Sequence, residues 1–229
     1  MDVARNQARK GTEEGTVIIA GEQTRGRGRM GRKWLSPEGN MAISIILYPD
    51  VSFLPFLVII ASVAVARSIE KVTGLKTMIK WPNDILIGSK KVGGILIESE
   101  VKKKRVLYAI VGIGINIDIN PGERERNQLQ ATCLKDELGG KVLRTDIIKS
   151  ILWEMESLYL MLPEVKTVLH EWQSRLLTLG KKVRVYYGNK ILEGIAESVD
   201  DTGALVLRHA DGSSATIVAG DVTLRDDGT

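Results

Sequence analysis

Hydrophobic and polar positions follow two different patterns along this chain, and they change near residue 180. In the first part, β-branched residues cluster at 16–20 and 41–47, which predicts strands, while a long apolar stretch over 55–72 predicts a helix that ends at Gly74. Further β-rich runs occupy 78–81, 94–100 and 106–119, helical spacing marks 3–10, 144–161 and 164–178, and polar segments at 25–33 and 121–127 predict loops. The strands and helices do not alternate regularly, so we predict an α+β domain with a mixed sheet rather than a doubly wound one.

The second part, beyond Gly180, contains only short β-rich runs separated by turn residues such as Asp-Gly and Gly-Asn. Five short strands in this length are typical of a small β-barrel of SH3-like size. We therefore predict two domains, 1–179 and 180–229. The predicted strands are 182–187, 191–199, 204–208, 215–218 and 222–224.

Composition excludes several classes of protein. The 229 residues are 44% hydrophobic, which excludes a disordered chain. The most apolar stretch, 53–66, is shorter than the roughly 20 residues that cross a bilayer, and residues 1–5 do not resemble a signal peptide. Cys133 is the only cysteine, so an intramolecular disulfide and a thiolate zinc cage are excluded and a buried thiol is expected. We predict a soluble, cytoplasmic protein with no membrane partner.

The net charge of +4 comes from a small excess of basic residues, and its location matters more than its size. The segment 25–33 contains five basic residues and no acidic one. Without those five, acidic residues would outnumber basic ones by one. The basicity therefore indicates one local loop rather than a surface made for nucleic acid.

That loop formally matches the dinucleotide-binding pattern G-x-G-x-x-G over 26–31, but Pro37 and Gly39 break the helix that such a pattern must open. A protein-kinase glycine loop is excluded because no His-Arg-Asp or Asp-Phe-Gly motif follows. Guanidinium groups on a glycine-rich backbone can bind phosphate or carboxylate oxygens in bidentate fashion. The loop predicts either such an anion site or an exposed basic loop that contacts RNA nonspecifically. Its arginines include Arg27, Arg29 and Arg32, and Trp34 beyond them predicts either a base-stacking or a core side chain.

Two further features have both a chemical and an ordinary interpretation. Lys80 opens the turn Lys-Trp-Pro-Asn-Asp, where it is either a fixed cation able to stabilise developing negative charge or a surface lysine beside a hairpin. Glycines inside apolar strands mark either bulges or places where a ligand or another backbone approaches closely. These glycines are Gly93, Gly94, Gly112 and Gly114.

Taken together, four motifs resemble those of biotin protein ligases, in order and in spacing. They are the run 23–34, Lys80-Trp81-Pro82-Asn83-Asp84, the run 91–98 and Gly112-Ile113-Gly114-Ile115-Asn116. The resemblance extends over nearly the whole chain. It implies a catalytic domain of the biotin/lipoate ligase type, similar to class II aminoacyl-tRNA synthetases, followed by a C-terminal SH3-like barrel.

The resemblance also implies a reaction. Biotin's carboxylate attacks the α-phosphate of ATP, with Mg²⁺ as the accompanying cation, and biotinyl-5′-AMP then acylates a lysine of a biotin carboxyl carrier domain. Lys80 and Arg29 are implied as catalytic residues, with Lys80 the central lysine between carboxylate and phosphate. The implied biotin- or adenylate-binding residues are Gln23, Gly26, Arg27, Gly28, Arg29, Arg32, Trp34, Lys80, Gly93, Gly94, Gly112, Gly114 and Asn116; the metal ligands are not implied.

The chain also departs from this family. Members carry a Ser-Thr-Asn segment before the first helix where this chain opens with Met1, so a weaker biotin site is expected. No helix-turn-helix precedes the domain, so operator binding is not expected. The resemblance also implies a homodimer joined at sheet edges. The alternatives are a lipoate–protein ligase or octanoyl transferase and, in another class, a non-enzymatic nucleic-acid-binding module whose affinity depends strongly on salt.

Overall fold

The computed structural model describes residues 1–120, 130–188 and 190–224. Its helices are α1 (Asp2–Arg9), α2 (Phe56–Thr73), α3 (Leu134–Leu138), α4 (Arg144–Leu160) and α5 (Lys166–Ser174). The first six strands are β1 (Val17–Ala20), β2 (Met41–Leu47), β3 (Thr77–Lys80), β4 (Asp84–Ile87), β5 (Lys90–Lys102) and β6 (Arg105–Ile115). The last five are β7 (Lys182–Tyr187), β8 (Lys190–Val199), β9 (Leu205–Arg208), β10 (Ser214–Ile217) and β11 (Asp221–Leu224).

The first six strands form one sheet in the order β1-β2-β6-β5-β4-β3. Every neighbouring pair of these strands is antiparallel. The α+β class is confirmed, but the prediction of a mixed sheet is wrong. β3 to β6 follow one another through short hairpin turns, which impose antiparallel pairing. Among the described residues, parallel pairing is confined to two isolated bridges, Ile79 with Leu176 and Lys91 with Ala131.

The two faces of this sheet are covered unequally, and this difference positions the site. One face packs on α2 in a core that includes Ile45, Ile95 and Ile113, and α4 packs on α2 in turn. The other face packs on the short helix α1 through a small cluster that includes Ala4 and Ile110. Because α1 has only eight residues, part of that second face stays open beside the glycines of β5 and β6.

The last five strands form a second sheet in the order β10-β9-β8-β7-β11, again antiparallel. Within the described ranges this sheet is open, because β11 pairs with β7 and β10 with β9, so the end strands lie at opposite edges. The predicted closed barrel is therefore not found there. The second sheet contacts the first part of the chain where the Trp81 indole donates to Gly203 O at 3.0 Å.

Most predicted elements are confirmed, with small shifts at their ends. The apolar stretch over 55–72 is the buried helix α2, and the described helices include none long and apolar enough to cross a membrane. Two short elements, β4 and α3, were not predicted, and the strand predicted over 106–119 ends at Ile115. The loop predicted over 121–127 lies outside the described residues. Cys133 is buried, as expected, and burial raises the pKa of its thiol.

A network of ion pairs joins α2, α4 and α5 on the far side of the core from the open face. Arg175 contacts Glu70 at 2.8 Å and Glu171 at 3.0 Å, and Arg67 contacts Glu154 at 3.1 Å. Burial raises the pKa of Glu70 and Glu171, but the hydrogen bonds from the arginines outweigh it and leave both pKa values below the ordinary 4.5. Both carboxylates therefore stabilise the fold above pH 4.5, and this contribution is lost as the pH falls through their lowered pKa values.

The change Arg175→Met should lower the free energy of unfolding at pH 7 by roughly 2 kcal/mol, between the values for exposed and for buried ion pairs. The loss should shrink as the pH falls through the lowered pKa values of the two carboxylates, because protonation makes both neutral in either protein. Urea unfolding at pH 7 and pH 3.5 measures both values. Lys141→Met, at an exposed position, serves as the control, and an equal loss at both pH values would contradict the assignment.

Candidate functional site

The arginine–glycine segment folds as an irregular hairpin over the open face of the first sheet. Residue pairs Gln23–Ser36 and Arg27–Lys33 form antiparallel bridges. Gly28 N donates to Arg32 O at 2.7 Å, which closes the tip around a short 3₁₀ turn. A Cβ on Gly26 would lie 2.1 Å from Trp34 O, so only glycine permits the two sides of the hairpin to approach this closely.

This hairpin, β5 and β6 enclose a cavity of about 450 Å³, a size that suits a small molecule. The cavity brings together eight of the thirteen predicted site residues. They are Gln23, Arg27, Gly28, Arg29, Arg32, Trp34, Gly94 and Gly114. The cavity supports the anion-site interpretation of the loop, because Arg27, Arg29 and Arg32 all line it.

The other five predicted residues lie behind or beside the cavity wall. Gly26 supports the hairpin, and a Cβ on Gly93 would lie 3.0 Å from Gly114 O on the neighbouring strand. A Cβ on Gly112 would meet the Met1 side chain, with its Sδ 2.9 Å away. Asn116 is buried at the end of β6, and Lys80 is only 8% exposed at the end of β3.

Trp34 lies flat against the glycines of the sheet, which explains why those positions have no side chain. A Cβ on Gly114 would lie 2.5 Å from Trp34 Nε1, and one on Gly94 would lie 3.7 Å from Trp34 Cζ3. Glycine is therefore present at position 114 because another group approaches the strand closely. That group is the indole ring of Trp34. A planar ligand beside this ring would find an apolar wall.

Lys91 was not predicted as a site residue, yet it is a cation that lines the cavity. Its ammonium forms an ion pair with Asp84 and lies 5.6 Å from the centre of the Trp34 ring. Gly94 lies beside it, and a Cβ there would be in ordinary contact with Lys91 Nζ at 3.5 Å. The ammonium is therefore held by a carboxylate and an aromatic face together.

Asp84 joins Lys91 to Lys80. In the sheet register Asp84 lies opposite Lys80 on one side and Gly94 on the other. Burial raises the pKa of Asp84, but Lys91 and Lys80 outweigh it and leave that pKa below its ordinary value. Burial also lowers the pKa of Lys80, which Asp84 and Asp221 partly offset. The result is a compact group of two ammonium ions around one carboxylate.

The cavity arginines have different partners. Arg27 contacts Asp2 at 2.7 Å and Glu98 at 3.3 Å, while Arg32 contacts Asp221 of β11 at 3.0 Å. Arg29 instead donates to the neutral side chain of Asn83 at 3.0 Å, and burial lowers its pKa. Within the described part of the chain, Arg29 is thus the cavity arginine held by an amide rather than by a carboxylate, so its charge is the least compensated.

This arrangement can hold a carboxylate and a phosphate close together. Cations fixed in a cavity offset the repulsion between two anions and stabilise negative charge that develops between them.

Four contributing residues were missed in the sequence, namely Asn83, Asp84, Lys91 and Asp221. Lys91 lies two residues before the glycine pair 93–94, so the sequence could have identified it as a site residue. The contact of Asp221 with Arg32 depends on how the two sheets pack, which the sequence does not show. No group of three or more His, Cys, Asp or Glu able to hold a metal occurs within 1–120, 130–188 and 190–224.

Comparison with known proteins identifies the family of this chain. Residues 3–116 match the model of the biotin/lipoate A/B protein ligase family, and residues 178–225 match the biotin protein ligase C-terminal domain. The chain is 39% identical over 216 residues to the bifunctional ligase/repressor BirA of Bacillus subtilis, covering 91% of this chain and 66% of that relative.

Two other relatives match over most of their own length. The biotin–[acetyl-CoA-carboxylase] ligase of Paracoccus denitrificans is 32% identical over 203 residues, which cover 83% of each chain. The biotin protein ligase of Aquifex aeolicus, solved in complex with biotin and ATP, has a TM-score of 0.80 and 29% identity and covers 97% of this chain and 94% of its own. The chain therefore belongs to the biotin protein ligase family.

Proposed function

We propose that this protein is an ATP-dependent biotin protein ligase that forms biotinyl-5′-AMP and transfers biotin to a lysine of a biotin carboxyl carrier domain. The observation that carries the proposal is the convergence of Arg29, Arg32 and Lys91 on one cavity beside Trp34. The relatives support it, because their names describe biotin ligases and a similar solved structure holds biotin and ATP.

In the first step, an oxygen of biotin's carboxylate forms a bond to the α-phosphorus of ATP, and pyrophosphate leaves with the bonding electrons. Both reactants are anions, so the reaction needs cations that reach the two groups together. Arg29 and Lys91 line the cavity and are suited to this role. Lys80 does not line the cavity, but it lies opposite Asp84 in the sheet and adds positive charge from behind the cavity wall. We propose Lys80 and Arg29 as catalytic residues, with Lys91 added to them.

In the second step, the neutral amine of the carrier lysine attacks the carbonyl carbon of the adenylate, AMP leaves with the electrons of the broken C–O bond, and the nitrogen loses a proton to solvent. The mixed anhydride is easily hydrolysed, so the cavity must exclude water until the carrier arrives. The hairpin over the cavity, with its glycine positions and Trp34, is suited to cover the adenylate. We propose that the predicted binding residues act here, with Gln23, Arg27 and Gly28 at biotin or the acyl phosphate and Arg32, Trp34 and Asn116 at the nucleotide.

Asn116 has one further feature that suits a nucleotide. Its Nδ2 donates to Thr132 O at 2.9 Å, whereas its buried Oδ1 has no partner among the described residues. A buried acceptor without a donor is costly, and an amino group such as that of adenine would supply one. Mg²⁺ enters this proposal as part of Mg·ATP, where it would offset phosphate charge.

The remaining expectations are proposals of the same kind. We place the domain boundary at 179/180, supported by the start of the C-terminal family match at residue 178. The short hairpins and five strands of the second sheet support an SH3-like class for that domain. A homodimer joined at sheet edges, a cytoplasmic location and the absence of specific DNA binding stay predictions.

Incubation with biotin, Mg·ATP and a biotin carboxyl carrier domain tests the function directly. Mass spectrometry should show one biotinyl group on one carrier lysine, and biotin should stimulate exchange of pyrophosphate into ATP. Parallel reactions with lipoate and with octanoate distinguish the related ligase activities. Folded protein that gives no biotin-dependent exchange and no carrier modification would overturn the proposal.

A further inference from the structure

The side chain of Asn40 makes three hydrogen bonds to backbone and is only 1% exposed. Its Oδ1 accepts from Ile117 N at 3.0 Å and from Ile119 N at 3.0 Å. Its Nδ2 donates to Ile119 O at 2.9 Å. No other described side chain makes three such bonds to the segment that follows β6.

These bonds continue the sheet where its strands have ended. The last residue pair between β2 and β6 is Met41 with Ile115, so the backbone beyond Ile115 has no partner strand on that side. Asn40, immediately before β2, offers its carboxamide in place of backbone groups. Without it, the buried Ile117 N–H would lose its acceptor, which costs more than an ordinary hydrogen bond contributes.

The segment held in this way adjoins the proposed nucleotide half of the site. Asn116, with its unpartnered Oδ1, precedes Ile117 directly, and Gly114 beneath Trp34 lies two residues further back. The neighbouring Gly39 supports the same contact, because a Cβ there would lie 3.2 Å from Asp118 Cβ. Asn40 thus connects the chain that leaves the Trp34 hairpin to the strand end that carries Asn116.

We propose that Asn40 is a positioning residue for nucleotide binding: its carboxamide fixes residues 117–119 and, through them, the direction of the Asn116 side chain. This inference rests on the proposed function, because it assigns Trp34 and Asn116 to the nucleotide. It concerns a residue that does not line the cavity and that was not among the predicted site residues.

The change Asn40→Ala should weaken binding of α,β-methylene-ATP, measured by calorimetry with biotin present, by about tenfold, because the strand end loses its three bonds. The Kd for biotin alone should change by less than about twofold, and the KM for ATP in pyrophosphate exchange should rise more than kcat falls. Asn40→Asp keeps an acceptor for both amides and should lie between Asn40→Ala and the unchanged protein. Ser68→Ala, which removes a buried hydroxyl on α2 that has no partner among the described residues, is the matched control.

Hydrogen exchange of the Ile117 and Ile119 amides in the ligand-free protein measures their hydrogen bonds to Asn40 independently of activity. Both amides should exchange faster in Asn40→Ala and stay protected in Asn40→Asp. Unchanged protection, or unchanged nucleotide affinity despite faster exchange, would overturn the inference. Protein that binds the ATP analogue but never performs biotin-dependent exchange would contradict the proposed function and leave the nucleotide-positioning role of Asn40 supported by its effect on affinity.

Discussion

Gly114→Val should lower the rate of biotin-dependent pyrophosphate exchange by at least ~100-fold, because displacement of a positioned group by about an ångström commonly has an effect of that size. Even the first carbon of the new side chain would lie 2.5 Å from Trp34 Nε1, 2.6 Å from Cε2 and 2.8 Å from Cζ2. The contact is with the rigid indole ring and not with the end of a flexible chain. Trp34 must therefore leave the sheet, and the cavity loses the aromatic wall that is proposed to cover the nucleotide.

The fold itself should survive this change, because valine suits a strand and the contact lies on the cavity side of β6. Circular dichroism and the melting temperature check this point. Gly140→Val is the control, since a Cβ at Gly140 meets nothing within 4 Å. A folded Gly114→Val protein with more than about a third of the normal exchange rate would show that Trp34 need not lie on the sheet.

The pattern of hydrophobic and polar residues predicted most of the helices and strands, because each of them depends largely on its own residues and on the turns that bound it. The run over 55–72 is apolar on nearly every side, as a helix buried between a sheet and a second helix must be, and it forms α2. The strands after Gly180 were predicted because each is bounded by turn residues. β4 was missed because it begins at Asp84, a residue of the predicted turn, and has only three apolar residues before Gly88. Strand direction was not visible in the pattern either, which is why the mixed sheet was predicted wrongly.

The candidate site divides in the same way between local and tertiary information. Glycine at positions 93, 94, 112 and 114 predicted either a bulge or a close approach, and at Gly114 the structure supplies the group that approaches, which is Trp34. The composition of the arginine loop predicted either an anion site or an exposed basic loop, and the cavity that its arginines line favours the first. The ion pair between Arg32 and Asp221, in contrast, joins residues almost 190 positions apart, and nothing near either residue predicts it. The contribution of Asn40 was hidden for the same reason, because its partners lie 77 and 79 positions further along the chain, in the segment that follows β6.

Lys91→Met should reduce adenylate formation by ~100- to 1,000-fold, the usual effect of removing one group that stabilises developing negative charge. Lys91 lines the cavity, is fixed by Asp84 and lies over the Trp34 ring. Pre-steady-state formation of biotinyl-5′-AMP and steady-state pyrophosphate exchange measure the loss. Lys91→Arg, which keeps the charge, should retain more activity than Lys91→Met but less than the unchanged protein, because a guanidinium cannot occupy the ammonium's place between carboxylate and glycine.

Lys90→Met provides a matched control, since the two lysines are adjacent. Lys90 lies on the other side of the strand, where it pairs with Glu137 at 3.0 Å and is 42% exposed. Its removal should change exchange by less than about twofold. Should both lysine changes lower the rate equally, the effect would belong to the fold of β5 rather than to the cavity.

Loss of Lys91 also leaves the Asp84 carboxylate buried with one cation fewer, so the variant is expected to be less stable. The double change Lys91→Met with Asp84→Asn removes both charges and should recover stability without recovering activity, which separates folding from chemistry. Lys80→Met completes the comparison, because Lys80 adjoins the same carboxylate from behind the cavity wall. A smaller loss for Lys80→Met than for Lys91→Met would place the direct contact with the reacting groups at Lys91. A larger loss would return the central role to Lys80, and the wall that separates it from the cavity would then have to open when substrates bind.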